Sequence, residues 1–208
     1  MPGRYFLEIP LKSVAEGLGA ALDCSDPGPR PDAAPGEQVA ALIADPDRRL
    51  IEMRWSMVMS GRVNARGRPV METIVNARSE TLFDKSAFQG VRRAVLPVGG
   101  WYEWTGKKGS KTRWRMAPVA GGILNFAAIW DVWQGPGGVE VPQLATVTVA
   151  PNADVEAYHH RMPALLDAAG VATWLDGAEP EAAAVLAPAP AGTVTVTEAR
   201  DVQAARGH

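Results

Sequence analysis

The spacing of apolar and polar positions changes several times along the chain, and each change predicts an element. A short extended piece covers residues 3–8, and apolar Leu11, Val14, Ala15, Leu18 and Leu22 recur at helical spacing, predicting a helix over residues 11–22. Residues 23–36 are proline-rich and predict a loop. Two strands follow at 39–44 and 50–55, joined by Asp45-Pro46-Asp47. Residues 61–69 form an Arg/Gly-rich basic loop, and 80–91 have helical composition. The apolar run 94–104 contains Gly99-Gly100, which predicts strand, bulge, strand. Beyond the basic turn at residues 107–111, strands are predicted at 112–118, 123–133 and 139–149. Short helices follow at 168–175 and 181–186, then an alternating closing strand at 193–197.

With no internal repeat and no linker composition, this pattern predicts one α+β domain over residues 1–200. Its strands are mainly antiparallel, with a few short helices, and a tail at 201–208 that frays. The 208 residues are 47% hydrophobic and 21% charged, values of a packed chain rather than a disordered one. No apolar run is long enough to span a bilayer, and the start lacks a signal-peptide pattern. A cytoplasmic protein is therefore expected. The single cysteine, Cys24, forms no internal disulfide, and its neighbours Asp23 and Asp26 raise a thiol pKa rather than lower it.

The net charge of −2 conceals an asymmetry. Residues 48–115 hold fifteen lysines and arginines against five acids, and the rest of the chain has six against eighteen. The basic stretch also contains Trp55, Trp101, Trp104 and Trp114. Cations neutralise phosphates and aromatic faces stack unpaired bases, so nucleic acid is a candidate partner. The plainer reading makes these surface arginines and core tryptophans. Trp101, Trp130 and Trp133, in strongly apolar strands, are assigned to the core, and Trp104 fits either role.

Four features carry candidate chemistry. His159-His160-Arg161-Met162-Pro163 gathers two of the three histidines, but no carboxylate or thiol sits at metal-ligand spacing, so no metal site is expected. Glu103 lies within Trp101-Tyr102-Glu103-Trp104. Buried there, its raised pKa would suit proton transfer; facing water, it would be a surface residue. Asn76-Ala77-Arg78 precedes Ser79-Glu80-Thr81 and reads equally as a helix start. Removal of Met1 would expose Pro2 as a secondary amine, partly unprotonated near neutrality.

Taken together these segments resemble a known family. The start Met-x-Gly-Arg-Tyr, Pro29-Arg30 with Ala34-Pro35-Gly36, Met53-Arg54-Trp55, Asn76-Ala77-Arg78-Ser79-Glu80-Thr81 and Arg92-Arg93 with Leu96-Pro97 occur in one order. Gly100-Trp101-Tyr102-Glu103-Trp104, Ala127-Ala128-Ile129-Trp130-Asp131-Val132-Trp133 and His159-His160-Arg161-Met162-Pro163 continue it. The chain resembles the SRAP family, the SOS response-associated peptidases that include abasic-site shield proteins, over roughly residues 1–175. The resemblance implies a strand-rich, barrel-like fold, binding of single-stranded DNA, and covalent reaction with abasic sites through an amino-terminal cysteine that forms a thiazolidine. It places assisting roles on Asn76, Glu103 and His159, and DNA contacts on Arg4, Arg78, Arg161 and Trp55, the last at the family's tryptophan; such a protein would be nucleoid-associated when bound to DNA. Trp104 is added as a stacking candidate. No cofactor and no obligate protein partner is implied.

The departures matter. Pro2 stands at the cysteine position, Ser56 at a glycine, Asp32 at an asparagine and Val149 at a threonine, and Met57-Val58-Met59 with the Arg-rich loop replaces the segment that would carry a further tryptophan. A thiazolidine cannot form. A secondary amine gives a cationic iminium directly, as in formamidopyrimidine-type glycosylases, and without a thiol to trap it β-elimination of the 3′ phosphate follows. The expectation is thus an abasic-site protein reacting through Pro2. The alternatives are a relative that binds single-stranded DNA without covalent chemistry, or one limited to removing its own Met1. For phosphates, Arg4, Arg78 and Arg161 rank before Arg62, Arg66 or Lys107.

Overall fold

The computed structural model describes residues 3–58, 65–66, 72–84 and 88–199. Pro2, Arg62, most of the basic loop and the 201–208 tail lie outside the described residues, as does part of the segment 80–91.

In chain order the elements are β1 (Tyr5–Leu7), α1 (Leu11–Leu18), β2 (Ala21–Asp23), β3 (Arg30–Ala33), β4 (Gln38–Ala44), β5 (Arg48–Trp55), β6 (Met57–Val58), β7 (Thr73–Ile74) and β8 (Asn76–Arg78). Then come β9 (Arg92–Val98), β10 (Gly100–Lys107), β11 (Ser110–Pro118), β12 (Leu124–Gln134), β13 (Glu140–Val149), β14 (Met162–Pro163), β15 (Leu165–Leu166), α2 (Ala168–Asp176), α3 (Glu179–Ala184) and β16 (Val194–Glu198).

The expected architecture is present: strands β13, β12, β9, β4 and β5 are hydrogen-bonded neighbours, and a parallel β13–β5 pairing (Gln143↔Arg54, Leu144↔Trp55) closes them into a five-stranded barrel. Leu42, Met53, Trp55, Val95, Phe126, Leu144 and Val147 belong to its core and are inaccessible to water. Gln143 secures the closure. Its amide donates to the Val58 carbonyl and Asp131, and its oxygen accepts from Val58 N–H and Arg54, so a fully buried polar side chain is satisfied on all sides.

A second sheet, ordered β16-β11-β10-β1-β3, lies beside the barrel. One of its faces packs inward, where the Trp101 ring meets Phe126 (5.7 Å between centroids) and Tyr5 meets Trp55 (5.3 Å). The chain passes from β9 of the barrel into β10 of this sheet at Gly99-Gly100. Gly100 has φ 152°, and a Cβ there would fall 2.1 Å from the Met116 carbonyl oxygen and 2.4 Å from the Phe6 ring. The expected bulge is thus the crossing between two sheets, and glycine is required for the close approach. Among the described residues no helix is long and apolar enough to cross a membrane.

Three local expectations are corrected. The first helix stops at Leu18 because Gly19 turns left-handed (φ 61°) and its N–H caps the last turn. Residues 21–23 then extend beside β5 as β2. The proline-rich stretch contains β3, tolerated because it is the edge strand, where Pro31 need not donate. Residues 79–81 form only a single 3-10 turn, and none of the remaining described residues up to 91 is α-helical. Trp101 and Trp130 are core as expected, whereas Trp133 is only half-buried, near the Arg54 guanidinium.

Candidate functional site

The two faces of β10 decide where each candidate residue sits. Successive side chains alternate across a strand. Trp101 and Glu103 share the inward face with Met116 and Trp114, their directly opposed partners on β11. Tyr102 and Trp104 share the outward face with Arg115 and Arg113. Glu103 is 4% exposed. Burial pushes its carboxyl above the ordinary range, while the positive charge of the chain's amino terminus and the Trp101 indole pull the other way. The register explains the first of these pulls. Tyr5 opposes Trp101 and the Tyr102 N–H donates to the Arg4 carbonyl (3.0 Å), so the start of the chain runs antiparallel towards Glu103.

His159 approaches the same region from the barrel side. Trp114, opposite Glu103, packs on Tyr158 (4.8 Å between ring centroids), and His159 is the next residue. Its ring is fixed by one residue's backbone: Nδ1 accepts from the Arg161 N–H (2.9 Å) and lies 3.0 Å from the Arg161 carbonyl oxygen. Burial pushes the imidazole pKa down, and the amino-terminal charge and His160 add to the effect. The ring is thus predominantly neutral near pH 7.

Asn76 and Arg78 stand on β8, which runs parallel to β13 with Thr146 opposite Asn76 and Thr148 opposite Arg78. The Thr146 hydroxyl donates to the Asn76 amide oxygen, and Thr148 donates to the Ala77 carbonyl. Two buried threonines of the barrel thus fix the strand that presents Asn76 and leave Arg78 exposed. Arg161 locks the adjoining turn. Its guanidinium forms a two-pronged bond to Glu80 and a third bond to the Thr148 carbonyl, and its side chain is 10% exposed. The Arg161 bond holds the Glu80 carboxyl down at about 2.

The candidate groups are therefore one buried carboxyl, one neutral imidazole and one amide, carried on β10, the turn after β13, and β8. The first two are under the electrostatic influence of the amino terminus. The chain matches the SOS response associated peptidase (SRAP) model over residues 1–205. It belongs to that family. It is 27% identical over 184 residues to abasic site processing protein YoqW of Bacillus subtilis (strain 168), covering 85% of this chain and 80% of that one. It is 30% identical over 161 residues to abasic site processing protein HMCES of Gallus gallus, covering 64% of this chain and 47% of that longer protein. Among solved structures, a protein from Bacteroides thetaiotaomicron superposes with a TM-score of 0.81 at 19% identity, covering 95% of this chain and 92% of that one. A phage-related protein from Bordetella bronchiseptica gives 0.73 at 24%, covering 96% and 94%. These two likenesses concern the fold.

Against the SRAP pattern, several sequence assignments change. Trp55 was expected to face DNA, but it is fully buried in the barrel against Tyr5 and offers no ring face to a base. Arg161 was expected to bind phosphate, but it is buried and committed to Glu80 and Thr148, so its role is to hold the His159 turn. Trp104 is half-buried on the face of β10 opposite to that of Glu103, with the Arg113 guanidinium 5.5 Å from its ring. Arg4 and Arg78 retain solvent access. Cys24 is as expected: burial pushes its thiol up, and Glu52, Asp23 and Asp26 add to the rise.

Sequence reasoning missed Thr146, Thr148, Glu80 and Tyr158 as the supports of these groups. Glu80 stood in a quoted segment, yet nothing in its spacing points to a partner eighty-one residues away. Among the described residues no group of three or more His, Cys, Asp or Glu side chains is placed to hold a metal ion.

Proposed function

We infer that this SRAP protein processes abasic sites in single-stranded DNA through the amine of Pro2, in a mature chain from which Met1 has been removed. One observation carries the reading: the chain pairs with β10 through Arg4 and Tyr5 so that its start runs towards the buried Glu103, and the backbone-held His159 follows Tyr158, which packs on Trp114 opposite Glu103. The names of its relatives YoqW and HMCES supply the substrate class.

The chemistry follows from the groups. The Pro2 nitrogen lone pair attacks the aldehyde carbon of the ring-opened abasic sugar, giving a carbinolamine. Loss of water leaves a cationic iminium, since a secondary amine has no second proton to shed. Glu103, whose burial keeps its proton available at a higher pH than usual, moves the proton from the attacking amine to the departing hydroxyl. His159, with Nδ1 occupied by the Arg161 backbone, exchanges protons with the sugar oxygen through Nε2. Asn76, oriented by Thr146, hydrogen-bonds the amine. Proton loss from the carbon next to the iminium then expels the 3′ phosphate, and water releases the amine.

The test is single-stranded DNA with one abasic site, mixed with protein whose intact mass shows Met1 absent, and run on denaturing gels with and without borohydride. An adduct that requires borohydride, and strand cleavage lost in Pro2→Gly and slowed at least tenfold in Glu103→Ala, are expected. Pro2→Cys should convert the transient adduct into one stable without borohydride. Met1-free protein that binds the strand but gives neither adduct nor cleavage would instead be a non-covalent DNA-binding relative.

A further inference from the structure

The outward face of the second sheet contains one carboxylate shared by two arginines. Asp32, on the edge strand β3, lies with Oδ1 3.2 Å from Arg4 Nη1 and Oδ2 2.9 Å from Arg113 Nη2. The two cations are held differently. Arg113 is packed over the Tyr102 ring, 3.6 Å from its centroid, and only 20% of its side chain meets solvent, whereas 43% of the Arg4 side chain does. The carboxylate itself is fixed from both sides, because the Tyr102 hydroxyl donates to the Pro31 carbonyl (3.0 Å) and Ala33 is paired with Tyr5.

We propose that Asp32 is a built-in competitor for backbone phosphate. Its carboxylate stands against the Arg4 guanidinium where a phosphate of single-stranded DNA binds, and it thereby sets how tightly this face holds the strand. The proposal rests on the DNA-binding reading above. A carboxylate and a phosphate compete for the same guanidinium charge. Half-exposed ion pairs are weak because water screens them, so Arg4 exchanges partners at little cost. Arg113 stays behind on Tyr102 and keeps Asp32 paired. The bound phosphate then sits beside a second anion, and that repulsion weakens binding.

Asp32→Asn keeps the shape and removes the charge. Equilibrium binding of an intact, fluorescently labelled single-stranded oligonucleotide should tighten about three- to tenfold near 0.1 M salt, and the gain should shrink as salt rises. Combining it with Arg4→Ala should abolish the gain, and Asp32→Glu should restore the wild-type affinity. Asp32→Ser serves as the neutral variant if Asp32→Asn does not melt cooperatively. Unchanged or weaker binding by a folded neutral variant overturns the proposal, as does a gain that survives in the Arg4→Ala background. Failure of the DNA reading itself looks different: neither wild type nor variant binds the oligonucleotide, and both proposals fall together.

Discussion

The same chemical vocabulary, arginine, carboxylate and aromatic ring, is used on both sides of β10 to opposite ends. On the inward side, Glu103 is shut away from water and Arg161 is tied to Glu80 and a backbone carbonyl. On the outward side, Asp32 shares its charge between Arg4 and Arg113, and Arg115 lies 3.9 Å over the Phe6 ring while pairing with Glu8. The difference is solvent. Where water is excluded, a guanidinium bonded to a backbone carbonyl fixes geometry and a buried carboxyl changes its proton affinity. Where water has access, an ion pair is exchangeable and ring contacts carry most of the ordering. A buried arginine is therefore a positioning group, and a half-exposed one is a candidate ligand for phosphate.

The strongest way to break this division is to disturb the point that assigns residues to faces. Gly100→Ala places a Cβ against the Met116 carbonyl and the Phe6 ring, in a backbone region that alanine resists. Neither backbone nor ring can withdraw without shifting β10 against β1. A loss of more than about 4 kcal/mol is expected, read as a collapse of the thermal midpoint or as insoluble protein.

Next in size is the Arg161 side chain. Arg161→Ala leaves the buried Thr148 carbonyl without its donor and the half-exposed Glu80 without its cation, and should cost about 2 kcal/mol by chemical denaturation at pH 7. The pH dependence identifies the cause. Glu80 is held at about 2 against an ordinary 4.5, so the stability it gains from Arg161 is present above pH 4.5 and is lost as pH falls towards 2. The gap between wild type and variant should narrow over that window. A gap that stays constant down to pH 2 would assign the loss to packing alone.

Glu103→Gln sharpens the comparison with the opposite sign. A carboxyl whose pKa is raised by burial favours folding when protonated, and that advantage disappears as pH rises through the folded value. The glutamine variant should match wild type near pH 4 and become the more stable of the two towards pH 8, while losing the proposed proton transfer. Stability curves of the two proteins between pH 4 and 8 check the sign directly. Parallel curves would place Glu103 in contact with water.

How far the sequence revealed this arrangement depends on the range of each signal. The long strands β4, β5 and β9 to β13 follow from alternation and apolar runs, which are local. The αL turn at Gly19 ended a helix that the apolar spacing of Leu22 continued, and β3 gave no local signal because its burial of Ala33 depends on Tyr5 across the sheet. Asn76, Glu103 and His159 stood out as candidates from their segments, but the surroundings of each arginine were not legible. Arg4, Arg78 and Arg161 are indistinguishable as letters. Only the fold shows that the Arg161 side chain is buried between Glu80 and the Thr148 carbonyl, whereas the Arg4 side chain meets solvent beside Asp32. Trp55 and Trp104 differ in the same way, one fully buried in the barrel and the other half-buried on the outward face.

The smallest expected effect on stability tests the outward face most selectively. Trp104 is half-buried beside Tyr102 and near Arg113, at the margin of a minor apolar cluster, so Trp104→Ala should lower stability by only about 1 kcal/mol. If a strand runs over this face, an unpaired base stacks on the indole, and its removal costs about 1–3 kcal/mol of binding. Affinity for intact single strands should then fall about five- to 150-fold, while the borohydride-trapped adduct at saturating DNA is retained, because the inward face is untouched. Trapping lost along with affinity would mean that the two faces act as one surface around the end of β10, and the division drawn from strand alternation would fail there.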